Sequence, residues 1–257
     1  MDRITVNLIN EPDLNLAVIG ARTCYDSFSP DNTKEKDLNL LHNLKKLEHC
    51  SPFEHVVFTF AINGISRLCL QELTRHRIAS YSVQSTRYTL KKLFKKIEDV
   101  ENKISIRDFV KHFCVIPEFE NTELEFIYIK QTYEQLKTIE ELSRLGYKND
   151  ELKYFLPESF RTELIWTINL RSLMNFIKLR YSSKAHFEIR HLAQLVLDCI
   201  LEYDMEIYNL LITQDDKIKK LLVYCIKCGK MFNTFENVKE IRCPNCESKE
   251  CEILEKF

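Results

Sequence analysis

Leu38, Leu41, Leu44 and Leu47 recur three residues apart, the repeat of one face of a helix. Asp13 to Tyr25 predicts another helix, after a short strand at Ile4 to Leu8. The run from His55 to Ile62 is β-branched and aromatic, and Asn63-Gly64 behind it predicts the end of that strand. Ser66 is placed to cap a helix reaching about Arg77, and a polar loop from Ala79 to Tyr88 is expected to follow. Further on, Glu123 to Leu145 reads as a helix stopped by Gly146, and Glu163 to Ile168 as a second buried strand. Asn169 is placed to cap a helix running to Arg180. From His186 to Leu211 the apolar residues Leu192, Leu195, Val196, Cys199, Ile200, Tyr203, Ile207, Leu210 and Leu211 form one stripe. Such a stripe is an ordinary core or interface face, not a cofactor box.

A chain of 257 residues suits one sizeable domain, or one domain with a small appendage. Its 45% hydrophobic and 29% charged content is that of a globular protein. Only four glycines and six prolines punctuate it, which favours helices over an all-β design. The formal net charge of −1 supplies no global basic field, so wholesale coating of nucleic acid is disfavoured. Any bound anion must therefore meet a local cluster of cations. No apolar run approaches the ~20 residues of a membrane-spanning helix, and the N-terminus lacks the apolar core of a secretory signal. A cytoplasmic location is expected.

Ten cysteines are unusual for that compartment, where disulfides are uncommon. Cys24, Cys50, Cys69, Cys114 and Cys199 are scattered, as small apolar fillers are. The other five fall in the last 33 residues. Cys225-x-x-Cys228 and Cys243-x-x-Cys246 lie fourteen residues apart, the spacing of a zinc ribbon in which four thiolates bind one structural zinc. So short a segment buries too little core to fold alone, and the metal would supply much of its folding energy. Cys251 is left over, an alternative ligand or a bystander. The boundary is expected near 218/219, with residues 219–257 as the zinc-ribbon-like module.

The segment Arg75 to Tyr88 concentrates chemistry. It carries Arg75, His76, Arg77 and Arg87, the hydroxyls of Ser80, Ser82, Ser85 and Thr86, and Gln84. Guanidinium forks and hydroxyls suit phosphate oxygens. Basic residues ending a helix also complement its dipole with no ligand at all, and composition does not choose between these.

Arg75-His76-Arg77, seven further residues, then Ser85-Thr86-Arg87-Tyr88 resembles the signature of the flavin-dependent thymidylate synthases. Glu48 to His55, Leu156-Pro157, the run Asn169 to Phe176 continuing to Arg180, and Ala21 to Tyr25 also resemble segments of that family, in unbroken order over roughly residues 1 to 215. The resemblance implies an α+β fold, an antiparallel sheet packed with helices, here with the small zinc ribbon added. It implies reductive methylation of dUMP to dTMP, with methylenetetrahydrofolate as carbon donor and NADPH-reduced FAD as hydride source, in a homotetramer. By similarity Ser51, Arg75, His76, Arg77, Val83, Asn169, Arg171 and Asn175 would contact FAD. Glu72, Arg75, Val83, Gln84, Ser85, Thr86, Arg87, Lys153 and Arg180 would meet dUMP. Arg180 would favour the deprotonated uracil imide, and Ser85, the terminal serine of the motif, would bind or orient.

Three positions depart from the family pattern: Val83 offers only backbone, Glu72 stands where Gln is common, and Lys153 replaces an Arg. Gln84 is placed to take over the polar role that Val83 gives up, and Glu72 could accept from an imide, a sugar hydroxyl or a neighbouring arginine. Two other readings remain open on these residues. One is a zinc-ribbon protein whose basic loop contacts nucleic-acid phosphates; the other is a family member that binds flavin without turnover.

Overall fold

The computed structural model describes residues 4–88, 90, 104–212, 220–235, 241, 243, 246 and 248–256. Its main sheet has four strands, β1 (Thr5–Leu8), β2 (Val57–Ser66), β3 (Ala79–Val83) and β4 (Arg161–Asn169), in the order β1-β2-β4-β3. Every neighbouring pair is antiparallel. Around it lie α1 (Asn15–Tyr25), α2 (Lys34–Lys46), α3 (Arg67–Leu73), α4 (Ile106–Phe113), α5 (Thr122–Arg144), α6 (Asn149–Leu152), α7 (Leu170–Arg180), α8 (Phe187–Tyr203) and α9 (Met205–Leu211). This is the expected α+β architecture.

Period-two alternation explains which face is covered. Phe58, Phe60 and Ile62 of β2 are fully buried, as are Leu164, Trp166 and Ile168 of β4 to within a few per cent. These side chains join Leu170, Leu173 and Phe176 of α7 and Ile189, Leu192, Val196 and Ile200 of α8 in one core. The opposite face carries Thr59 and Thr167, whose hydroxyls hydrogen-bond at 3.1 Å. A second core, with Phe109, Val110, Phe113, Leu136, Ile139, Leu152 and Phe160, holds the helices that intervene between β3 and β4.

Several sequence expectations shift. Asn63-Gly64 does not end β2; the strand bulges there, with Gly64 at φ 83°, and runs on to Ser66. His55 belongs to a 3₁₀ turn over Ser51–His55 that leads into the strand. The helix capped by Ser66 stops at Leu73, short of Arg77. The first half of the expected loop is strand: Ala79–Val83 pairs with Ile168–Leu164 of β4. The apolar stripe from His186 is two helices, broken at Asp204, whose side chain accepts from the amides of Glu206 and Ile207 and so starts the second. Leu47 falls outside α2 and is exposed.

Beyond residue 219, strands β5 (Lys220–Cys225), β6 (Met231–Phe235) and β7 (Cys251–Lys256) form a separate antiparallel sheet in the order β6-β5-β7. A turn after β5 is closed by the Gly229 amide donating to the Cys225 carbonyl at 2.8 Å, and Gly229 sits at φ 70°, which favours a residue without Cβ.

Candidate functional site

The helix carrying Glu72 is fixed at its start by a buried carboxylate. Glu188 of α8, 2% exposed, accepts from the Ser66 amide at 2.7 Å and from the Ser66 hydroxyl at 2.5 Å. The Ser66 hydroxyl in turn accepts from the Cys69 amide at 2.9 Å, closing the N-cap. At the other end, the Tyr81 hydroxyl of β3 lies against two carbonyls, donating to those of Leu73 at 3.0 Å and His76 at 2.7 Å. The Arg75-His76-Arg77 segment is therefore held between a helix end and an edge strand.

His76 faces inward from this segment. Its ring meets Phe176 edge-on at 5.0 Å, and Phe176 meets Trp166 edge-on at 5.0 Å, which continues the aromatic run to Phe60 and Phe58. Its Nε2 lies 3.1 Å from Arg180 Nε, a distance at which the imidazole accepts and the guanidinium donates. Burial, then the charges of Arg180 and Arg75, hold the imidazole down to about 4, so it is neutral near pH 7. The Arg180 fork also reaches Glu72, one nitrogen at 3.3 Å from the carboxylate and the other at 3.3 Å from the backbone carbonyl. Glu72 thus takes the arginine partner that was one of its expected options. Arg180 is anchored on three sides, in a half-buried position where its charge is less screened than on the surface.

Cys69, on the same helix as Glu72, is a thiol that feels the charges of this cluster. Burial pushes it well above its usual range, Glu188 and Glu72 push it further, and only Arg180 opposes them. A thiolate nucleophile is disfavoured there.

Arg87 and Lys153 come together elsewhere. Arg87 Nε pairs with one carboxylate oxygen of Asp150 at 3.0 Å, and Lys153 Nζ pairs with the other at 3.4 Å. The Asn149 side chain donates to the Arg87 carbonyl at 2.7 Å, joining the segment after β3 to α6. The amide of Gln84, the residue before the motif serine, donates to the Glu163 carbonyl at 2.8 Å, and the Tyr88 amide donates to the Ser85 carbonyl at 3.1 Å. These bonds fix the backbone on both sides of Ser85 and Thr86.

Ser51 and Arg171 line one cleft of about 320 Å³ together with Tyr25, His49 and Cys50. Arg171 pairs there with Glu54. Arg75, Arg77, Asn175 and Val83 are exposed. Asn169 caps α7, its Oδ1 accepting from the Ser172 amide at 2.9 Å. Direct contacts or a shared cleft thus join Glu72, His76 and Arg180, then Arg87 and Lys153 through Asp150, and Ser51 with Arg171. Asp150, Tyr81 and Glu188 are the participants that sequence reading passed over. For Asp150 a signal existed, since it precedes Lys153 by three residues, a spacing that places both on one side of a helical turn.

The four sulfurs of Cys225, Cys228, Cys243 and Cys246 all lie within 4.8 Å of one another. Cys225 and Cys246 are 3.6 Å apart, and Cys228 and Cys243 are 3.5 Å apart. Sulfurs at ~2.3 Å from a central zinc would be about 3.8 Å apart in a tetrahedron, so the cluster fits the ion. The Lys230 amide first draws Cys228 down to about 6, whereas Cys246, despite the Ser248 amide, is pushed up to about 12 by desolvation and its neighbouring sulfurs. Four thiolates this close need a cation among them. Cys251 stands opposite Cys225 in the β5–β7 pairing and is outside the four-sulfur group.

The four-stranded antiparallel sheet packed with helices, the anchored arginine and the paired cations belong to an α+β protein, and sequence comparison gives its class. The model of the family described as thymidylate synthase complementing protein matches residues 7–203. A flavin-dependent thymidylate synthase of Wolinella succinogenes is 44% identical over 199 residues, covering 77% of this chain and 93% of the relative. One of Helicobacter pylori is 39% identical over 193 residues, covering 73% and 88%. The crystal structure of thymidylate synthase X from Helicobacter pylori with FAD and dUMP superimposes with a TM-score of 0.70 at 33% identity, covering 82% of this chain and 98% of that one. The chain belongs to the flavin-dependent thymidylate synthase family.

Proposed function

We propose that this protein methylates dUMP to dTMP through the residues grouped above, with FAD held at the Arg75-His76-Arg77 segment and in the Ser51–Arg171 cleft. The carbon comes from methylenetetrahydrofolate, and the flavin, reduced by NADPH, supplies the hydride when bound. The observation that carries the reading is the three-sided anchoring of Arg180 by His76 and Glu72. A guanidinium so fixed is preorganised to lie against the uracil imide and favour its anion, which raises electron density on the pyrimidine carbon that accepts the methylene group. No cysteine nucleophile is needed. Neutral His76 keeps its lone pair for the Arg180 N–H and so holds the guanidinium's orientation.

The dUMP phosphate, with about two negative charges, is assigned to Arg87 and Lys153. Ser85, Thr86, Gln84 and the backbone of Val83 lie beside Arg87 in sequence and are assigned to the same nucleotide, with Ser85 orienting it. Arg75, Arg77, Arg171 and Asn175 are assigned to FAD. Asn169, whose Oδ1 caps α7, is assigned to FAD through its Nδ2 donor.

The homotetramer that the family resemblance implies, with sites completed between subunits, belongs to the same reading. The exposed Ile78 and Tyr88, 74% and 73% accessible beside the motif, are suited to such burial. Residues 1–218 are assigned to the enzyme domain and 219–257 to an accessory module held by structural zinc, in a cytoplasmic protein. Among the described residues no helix is long and apolar enough to cross a membrane.

The test is the visible spectrum of purified protein, followed by dTMP formation from dUMP, methylenetetrahydrofolate and NADPH. A yellow protein that forms dTMP is expected. Flavin and dUMP binding without dTMP would identify a member without turnover. Salt-dependent polynucleotide binding with no flavin would overturn the reading.

A further inference from the structure

We propose that Asp150 is a specificity-determining residue, a carboxylate that occupies the substrate-phosphate position until a dianionic phosphate displaces it. The inference rests on the assignment of Arg87 and Lys153 to the dUMP phosphate. It starts from the geometry of the pair. One Asp150 oxygen lies 3.0 Å from Arg87 Nε and the other 3.4 Å from Lys153 Nζ, so a single carboxylate spans two cations from different segments. Two oxygens bridging two cations is the arrangement a phosphate monoester would adopt there. The Asn149 side chain, bonded to the Arg87 carbonyl at 2.7 Å, keeps the segments in register while the carboxylate is in place or away.

Charge decides which anion wins. A carboxylate carries one negative charge and a phosphate monoester about two near neutral pH, so the phosphate takes the cations and a monoanion meets an equal rival. A ligand with no phosphate gains nothing from displacing Asp150. The side chains of Arg87, Asp150 and Lys153 are 61%, 42% and 41% exposed, so the internal pair is weak enough to open. The displaced carboxylate stays nearby, and its repulsion lowers dUMP affinity by a modest factor.

The test is calorimetric titration of the FAD-loaded full chain with dUMP and with deoxyuridine, in wild type, Asp150→Asn and Arg87→Ala. Asn is isosteric with Asp, and position 150 lies in the short helix α6 with its side chain 42% exposed, so folding is preserved. Asp150→Asn is expected to tighten dUMP by about threefold to fivefold, the scale of an exposed ion pair, and to leave deoxyuridine unchanged. Inorganic phosphate should compete with dUMP more effectively in the same variant. Unchanged or weaker dUMP binding would overturn the inference, because Asp150 would then organise the cations instead of occupying their ligand position. Equal tightening of deoxyuridine would overturn it too. Arg87→Ala separates the two levels: if it binds dUMP as wild type does, the phosphate assignment itself falls, and the inference with it. If Arg87→Ala weakens dUMP and Asp150→Asn fails to tighten it, the inference alone falls.

Discussion

His76 shows how one side chain can be decided by what surrounds it. A lone histidine between two arginines is ambiguous in sequence, as a ligand contact or a structural residue. Folding places it edge-on to Phe176 and 3.1 Å from Arg180 Nε, and burial with two nearby cations holds it down to about 4. An unfolded histidine titrates near about 6.5. Between these values the unfolded chain binds the extra proton, so stability contributed here is complete above about pH 6.5 and is lost as pH falls toward about 4. The ring is only half-buried, which moderates the effect through solvent screening. Denaturant midpoints measured at pH 7.5 and 5 should fall with acidity in wild type and fall less in His76→Asn. An equal slope in both proteins would remove His76 as the titrating group.

Among the elements, β3 is the clearest lesson. Ala79, Tyr81 and Val83 alternate with Ser80 and Ser82, a period-two pattern that hydroxyl-rich composition concealed. Ala79 and Tyr81 are half-buried opposite Ile168 and Trp166 of the covered face, while Val83, opposite Leu164, is exposed. As the outer strand of the sheet it needs no apolar outer face. The caps, by contrast, were readable because capping is local: Ser66 and Asn169 both accept from the amide three residues on. What sequence could not reveal is that Ser66 also donates to buried Glu188, 122 residues away. Ser66→Ala removes the cap and leaves a buried carboxylate one donor short, and is expected to lower stability by about 1–3 kcal/mol. Urea denaturation with an unchanged midpoint would show that the junction carries no such weight.

For the whole molecule, the two sheets have different sources of stability. The enzyme domain has two apolar cores, while the C-terminal sheet has four clustered sulfurs and, among its described residues, few buried side chains, chiefly Val223, Cys225 and Cys243. A chain truncated after residue 218 should keep stoichiometric FAD, and the full protein should carry about one zinc per chain, lost in Cys228→Ser. Metal analysis and flavin absorbance check both expectations. Collapse of flavin binding on truncation would move the domain boundary.

The sequence by itself determined the family, the α+β class and the four cysteines that cluster, because motif spacing, caps and Cys-x-x-Cys pairs are local signals. The tertiary structure decided what the site residues do for one another. It joined Arg180 to His76 and Glu72 across more than a hundred residues and set Asp150 between Arg87 and Lys153. The physical reason is that charge, burial and hydrogen-bond partnership depend on distance in space, and the contacts that set them here are made by residues far apart along the chain.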